Sequence, residues 1–516
     1  MANPNWASGY VSDIAYTLGF YREMAPTLID YALALNGQPG VGQSGLNYCE
    51  LGCGRGYGTA LLAAANPDCT FVGIDFNPAH IGEARALAQK AGLTNLTFLE
   101  ASFADAARMT DGVPDAFEIV ALHGVYSWVS AEVREDIHEF LRKRLVPGGV
   151  AYVSYNTYPG WSAQAPLREM LKAVADRSTG DTLKRVNAGR AVLTKLAQAQ
   201  SGFVASNPGA KRRVEVMGSQ DPAYIAHEFL NRDWHPLYVT QAMADLSEAK
   251  LSYVASATIG ENRLNLSVPA DLMDTVQSAP DVAMRELLRD YAINKQFRRD
   301  IYVKGASQLG AADARKRYDG LTLMLLDRPD PAPEEWQIPA GTARVKPEVL
   351  DSILAALSAG PTTLGEVRAK AVAAGTADAD VPAVLDILVH NGVVLPARSD
   401  HATLDRKPAH RLNQVLAELA GKDDTHRFLA APVLGSAVGV SHFDRIVAPK
   451  LAQDEASDDV THAKAVYEIL ESSGKRIMRD GKPVDDPTTA VSELTGVVAG
   501  SRRQGLQRLR ALGAVS

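Results

Sequence analysis

Four glycines at alternate positions, Gly52, Gly54, Gly56 and Gly58, stand between a short apolar run and a helix-forming one. The run before them, Leu46-Asn47-Tyr48-Cys49-Glu50-Leu51, is mostly apolar and stops at the glycines, which predicts a buried strand. Residues 59–65 after them read as a helix. Glycine lets such a loop turn sharply and lets a ligand press against bare backbone, while loop amides and the helix N-terminus offer donors to a carboxylate or other anion. The next strand, residues 70–74, ends on Asp75, an acidic residue about 20 positions past the loop and placed to accept from both hydroxyls of a ribose. Pro78 suits the first turn of a helix through Ala84 and Ala88. Further strands at 96–99, 117–122 and 150–154 alternate with helical stretches, which predicts an α/β fold with a mainly parallel, doubly wound sheet. A dinucleotide fingerprint requires glycine where Tyr57 stands, and a phosphate loop requires a Lys-Ser or Lys-Thr pair that is missing. The glycines alone leave open a structural turn in some other α/β protein.

Glu50-Leu51-Gly52-Cys53-Gly54-Arg55-Gly56 resembles the first motif of class I S-adenosyl-L-methionine-dependent methyltransferases, and the Leu145-Val146-Pro147-Gly148-Gly149 turn before strand five is also typical of that family. The resemblance implies a Rossmann-like domain in which Glu50, Gly52, Cys53, Gly54 and Gly56 hold the methionine part of the cofactor. It implies that Asp75, with Phe76 beside it, holds the ribose. The family often has an acidic residue on the adenine amine after strand three. Here Ser102-Phe103 stand there, a hydroxyl that can accept a hydrogen bond and a ring that can pack on adenine. His123, at the end of strand four, completes the expected cofactor set and reads better as a hydrogen-bonded structural histidine than as a base.

Methyl transfer is a direct displacement, so an enzyme aligns donor and acceptor and excludes water without needing a nucleophilic residue or a metal. The three cysteines, Cys49, Cys53 and Cys69, make no disulfide framework, and Gly56 stands where an iron–sulfur run would need another cysteine, so no metal is expected. The end of strand four reads His123-Gly124-Val125-Tyr126-Ser127-Trp128, not the Asn/Asp-Pro-Pro-Tyr run of DNA and glutamine amino-methyltransferases. Tyr126 and Trp128 there, Tyr155 and Asn156 after strand five, and Tyr21 from the N-terminal stretch are the candidates for aligning the acceptor. Aromatic faces can guide a lysine ammonium and desolvate it toward the neutral amine that attacks. Core packing is the alternative for any single ring. Tyr16, Tyr21 or both are expected to close over the donor methyl.

Tyr16-Thr17-Leu18-Gly19-Phe20-Tyr21, Tyr155-Asn156-Thr157-Tyr158-Pro159-Gly160-Trp161, His227-Glu228-Phe229-Leu230-Asn231 and Phe297-Arg298-Arg299-Asp300 followed by Tyr302, Lys304 and Gly305 resemble bacterial methyltransferases with a methyltransferase regulatory domain. Rickettsial members of that family act on lysines of outer-membrane proteins. The likeness, from about residue 12 to residue 325, implies a protein substrate, a large cavity beside the catalytic domain and a homodimer. His227-Glu228 lacks the second histidine of a zinc-protease helix.

A chain of 516 residues exceeds one core and divides here into five stretches. Residues 1–165 are expected to form an N-terminal cap and the methyltransferase domain, and 166–328 a helical and α+β regulatory domain. A proline-rich linker at 329–345, a winged-helix-like domain at 346–400 and a helical tail at 401–516, with a second winged-helix-like unit, follow. The net charge of -7 gives no basic footprint, and charges in 346–400 nearly balance, so no nucleic-acid partner is expected. No signal segment and no apolar run of about 20 residues is visible, so membrane insertion is not expected and a cytoplasmic location is. The expected activity is methyl transfer to protein lysines. A methyltransferase for a small molecule or another residue type is one alternative; a non-enzymatic regulator binding cofactor or DNA is the other.

Overall fold

The computed structural model describes residues 18–109, 111–479 and 482–516. Its centre is a seven-stranded sheet in the order β3-β2-β1-β4-β5-β7-β6. The strands are β1 (Asn47–Leu51), β2 (Thr70–Asp75), β3 (Leu96–Glu100), β4 (Phe117–Leu122), β5 (Leu145–Asn156), β6 (Leu251–Ser256) and β7 (Phe297–Lys304). β1 to β5 pair in parallel, while β7 runs antiparallel to both β5 and β6. Because β1 and β4 are covered on both faces, their side chains are buried almost without alternation. Strand order reverses between β1 and β4, which opens a crevice at the carboxyl ends of the strands.

β5 is longer than its apolar stretch suggests. It begins at Leu145, whose buried side chain pairs with Phe117, and the Pro-Gly-Gly segment is a bulge inside the strand before Val150 meets Ile119. Helices α1 (Pro26–Leu35), α2 (Tyr57–Ala65), α3 (Pro78–Ala91), α4 (Phe103–Arg108) and α5 (Ala131–Arg144) precede β5. Asn77 caps α3 by accepting from Ala79 and His80, and Pro78 fills its first position.

Between β5 and β6 a helix at Val239–Ser247 leads into β6, and five helices come before it: α6 (Ala165–Arg177), α7 (Thr182–Gln198), α8 (Gly202–Ser206), α9 (Pro208–Ser219) and α10 (Pro222–Phe229). These five pack around Trp161, Leu171 and Phe229 as a small core of their own. The chain then returns to add β6 and β7, so residues 251–304 complete the sheet begun by residues 47–156.

Beyond the sheet, β8 (Thr322–Leu325) lies between β11 (Thr362–Thr363) and β12 (Val394–Ala397), accompanied by helices Pro347–Leu357, Leu364–Ala373 and Asp380–His390. The proline-rich stretch between them holds a hairpin, β9 (Trp336–Ile338) with β10 (Gly341–Ala343), anchored by the buried Trp336. The tail carries a helix, Lys407–Lys422, and the hairpin of β13 (Phe428–Ala431) with β14 (Ser436–Gly439). This part lies against the catalytic unit: the Tyr57 hydroxyl donates to the Phe428 carbonyl and accepts from its N–H, both at 2.8 Å. Arg398 holds Asp68 and Asn66 at 2.8 and 2.9 Å. Among the described residues no helix is long and apolar enough to cross a membrane.

Candidate active site

The glycine loop is fixed by the strand beside it. The amides of Gly52 and Cys53 both donate to the Ile74 carbonyl, at 2.8 and 3.1 Å, which turns the chain back over β2. Gly56 has φ 70°, and a Cβ there would come within 2.5 Å of Ala84 and 2.6 Å of Phe98. Only glycine fits that close approach. At Gly54 (φ 55°) a Cβ would meet nothing within 4 Å, so the cradle is open on that side.

Asp75 ends β2 with one carboxylate oxygen accepting from the Gly54 amide and the other from the Asn77 amide, each at 2.9 Å. It ties the loop to the second strand and keeps lone pairs for a ligand. Glu50 accepts from the Thr59 hydroxyl at 2.5 Å, and burial, opposed by that bond and aided by Asp75, pushes its carboxyl up to about 7. Ser102 spends its hydroxyl at the start of α4, accepting from the Asp105 amide and donating to the Asp105 carboxylate. The His123 ring lies against Tyr21 with centroids 3.6 Å apart, its Nδ1 2.9 Å from the Tyr152 hydroxyl. Burial, with Arg299 nearby, lowers its pKa to about 3, so the ring is neutral.

One cavity of about 370 Å³ joins these groups. Glu50, Gly52, Cys53, Gly54, Gly56, Asp75, Phe76, Ser102, Phe103 and His123 all line it, and so do Tyr21 and Trp128. Tyr126 and Tyr155, expected at the acceptor, do not line it. The Tyr126 hydroxyl is buried against His138 Nε2 at 2.8 Å, and Tyr155 donates to Asp300 at 2.6 Å on the far side of the sheet. Side chains alternate along β5, so Tyr152, Ser154 and Asn156 share one face and Tyr155 takes the other. Both faces are buried, and the apolar pattern cannot tell them apart. Asn156 does not line the cavity either: it is buried at the strand end, close to Glu228, which does. Tyr16 lies outside the described residues.

The remaining wall comes from residues that the sequence reading assigned no site role. Tyr224, His227 and Glu228 of α10, and Asn231, Arg232 and Asp233 just after it, face the same cavity. The signal was present as helical spacing, since positions 224, 227, 228 and 231 fall on one side of a helix. Burial pushes the Glu228 carboxyl up to about 7 against the opposing pull of Arg213 and Asn156. Five carboxylates, Glu50, Asp75, Asp136, Glu228 and Asp233, line the cavity against the guanidiniums of Arg55 and Arg232. Such a wall favours cationic guests. Among the described residues no three His, Cys, Asp or Glu side chains group as a metal site.

The residues present fit S-adenosyl-L-methionine. An open glycine cradle at a helix N-terminus, a carboxylate at the end of β2 and aromatic groups at the ends of β3 and β4 line a volume suited to a nucleotide-sized ligand.

Comparison with known proteins agrees. A family described as "Methyltransferase domain" matches residues 43–200, and one described as "Predicted methyltransferase regulatory domain" matches 221–304. The uncharacterized protein sll1526 of Synechocystis sp. is 31% identical over 513 residues, covering 98% of this chain and 99% of that protein. The protein RP789 of Rickettsia prowazekii is 27% identical over 252 residues, 48% of this chain and 44% of its own length. Among solved structures, PKMT2 from Rickettsia typhi in complex with AdoHcy superposes with a TM-score of 0.71 at 21% identity, covering 96% of this chain and 99% of that one. That likeness is one of fold.

Proposed function

We propose that this chain, which belongs to the S-adenosyl-L-methionine-dependent methyltransferases with a methyltransferase regulatory domain, methylates lysine side chains of proteins. When bound, the cofactor supplies an electrophilic methyl group. In this reading Gly52 to Gly56 receive its methionine part, Asp75 its ribose, and Ser102 and Phe103 its adenine. Glu50, seated under the loop, faces the same end of the cavity as those glycines.

The observation that carries the lysine reading is the composition of the wall beyond His123. Trp128, Tyr21 and Tyr224 line the cavity together with the carboxylates of Glu228, Asp136 and Asp233. Aromatic faces and carboxylates together suit an ammonium carried on an apolar stem. The resemblance to rickettsial protein lysine methyltransferases supports a protein as the carrier of that lysine. The three cysteines are free and buried, which supports a reducing compartment such as the cytoplasm.

The test is transfer of a radiolabelled methyl group from the cofactor to a bacterial lysate. The expected result is labelled protein containing methyl-lysine by mass spectrometry. Label confined to small molecules, or to other residue types, would overturn the assignment.

A further inference from the structure

The acceptor end of the cavity has an asymmetry that the cofactor does not explain. α10 is started by Asp221, which accepts from the Ala223 amide, and by Pro222, and it presents Tyr224 and Glu228 one turn apart to the cavity. The groups facing Glu228 come from four elements: Arg213 of α9, Asn156 of β5, Tyr21 of the N-terminal segment and Tyr224 of its own helix. Among these groups Arg213 is the cation whose charge draws on the Glu228 carboxylate. Asn156 is buried close by and favours the charged form of Glu228, and among the described residues the buried amide nitrogen of Asn156 has no hydrogen-bond partner.

We propose that Glu228 receives the acceptor ammonium and takes its proton, and that Asn156 is the positioning residue that sets its carboxylate. The proposal rests on the lysine reading above. A free lysine, with a pKa near 10.4, is charged at neutral pH and has no lone pair to offer. In the step, one N–H bond of the ammonium breaks, its electron pair stays on nitrogen as the attacking lone pair, and the proton bonds to a Glu228 oxygen. The pair of charges, +1 and −1, becomes two neutral groups, and the proton then leaves to water. A carboxyl raised to about 7 suits this better than an ordinary one, because it holds the proton more firmly while still being ionised at mildly alkaline pH.

The experiment follows methyl-lysine formation in total lysate protein from pH 6 to 10, with S-adenosylhomocysteine affinity measured by calorimetry on each full-length variant. The wild-type rate should rise with pH and level off above about 7, as Glu228 ionises. Glu228→Gln should lose about 100-fold at pH 7.5, with a rate that keeps rising toward pH 10 as free amine appears, and should keep its S-adenosylhomocysteine affinity. Glu228→Asp should recover part of the loss. Asn156→Asp places a second carboxylate beside the first and should move the midpoint of the pH profile upward. If Glu228→Gln forms methyl-lysine within about threefold of wild type at every pH, the proposal falls while the lysine reading stands. If the wild type forms no methyl-lysine, the lysine reading falls and takes this proposal with it. Should Glu228→Gln fail to bind S-adenosylhomocysteine, Asn156→Asp decides: an unmoved midpoint overturns the proposal.

Discussion

The cofactor half of the cavity draws most of its wall from one stretch, Glu50 to Phe103, whereas the acceptor half gathers Tyr21, Trp128, and Glu228 with Asp233 from three separate segments. The first is largely a backbone site. Its glycines, its helix N-terminus and the carboxylate of Asp75 are fixed relative to one another by the β1–β2 pairing and by amides that donate directly to Asp75. The second is a side-chain site, set by how α10 and the N-terminal segment lie over the strand ends. A site of the first kind tolerates little change, and one of the second kind can alter its guest without disturbing the donor.

That division can be broken by experiment. Asp75→Ala should have the largest effect, weakening S-adenosylhomocysteine binding about 1,000-fold, because it removes the ribose acceptor and frees the Gly54 amide. Calorimetry showing unchanged affinity would remove the backbone site from this loop.

Next in size is a pH effect at Glu50. Its folded pKa lies above its ordinary value, so the folded state holds the extra proton between about pH 4.5 and 7. Stability from this group is therefore present below that window and is lost as pH rises through it. Glu50→Gln should stabilise the ligand-free protein by about 3 kcal/mol at pH 8 and by little at pH 4.5, while weakening cofactor binding. Equal shifts in denaturant midpoint at both pH values would contradict the burial argument.

A smaller effect is expected at Tyr57→Phe, which strands the Phe428 N–H and carbonyl at the contact with the tail. The expected loss is about 2 kcal/mol of stability, with less than about threefold change in cofactor affinity. A much larger affinity loss would mean that the tail helps to shape the cradle.

Tyr126→Phe marks the low end. It removes one bond to His138 outside the cavity and should cost about 1 kcal/mol in thermal unfolding without altering methyl-lysine formation. A tenfold fall in turnover would put Tyr126 back at the acceptor.

The two halves were also unequally legible from residues alone. The glycine spacing, Asp75 and the alternation of strands and helices fixed the parallel core and its crevice, since each is a local pattern with one mechanical meaning. Boundaries slipped where local cues competed: Pro147-Gly148-Gly149 reads as a turn, yet Leu145 pairs with Phe117 and extends β5 through it. The prolines around residue 335 read as a linker, yet Trp336 is buried and lies in a hairpin.

The acceptor wall shows the deeper limit. Tyr155 and Asn156 are neighbours in sequence, and strand alternation sends one to Asp300 and the other toward Glu228. Which of the two turns toward Glu228 depends on what covers each face of the sheet, and β5 is covered on both. Glu228 lies on a helix inserted between β5 and β6, and nothing within residues 222–233 specifies the strand end above which that helix rests. The sequence by itself determined the donor site, because backbone geometry and a carboxylate at a strand end are local properties. Only the tertiary structure decided which side chains meet the acceptor, because that depends on long-range packing of elements far apart along the chain.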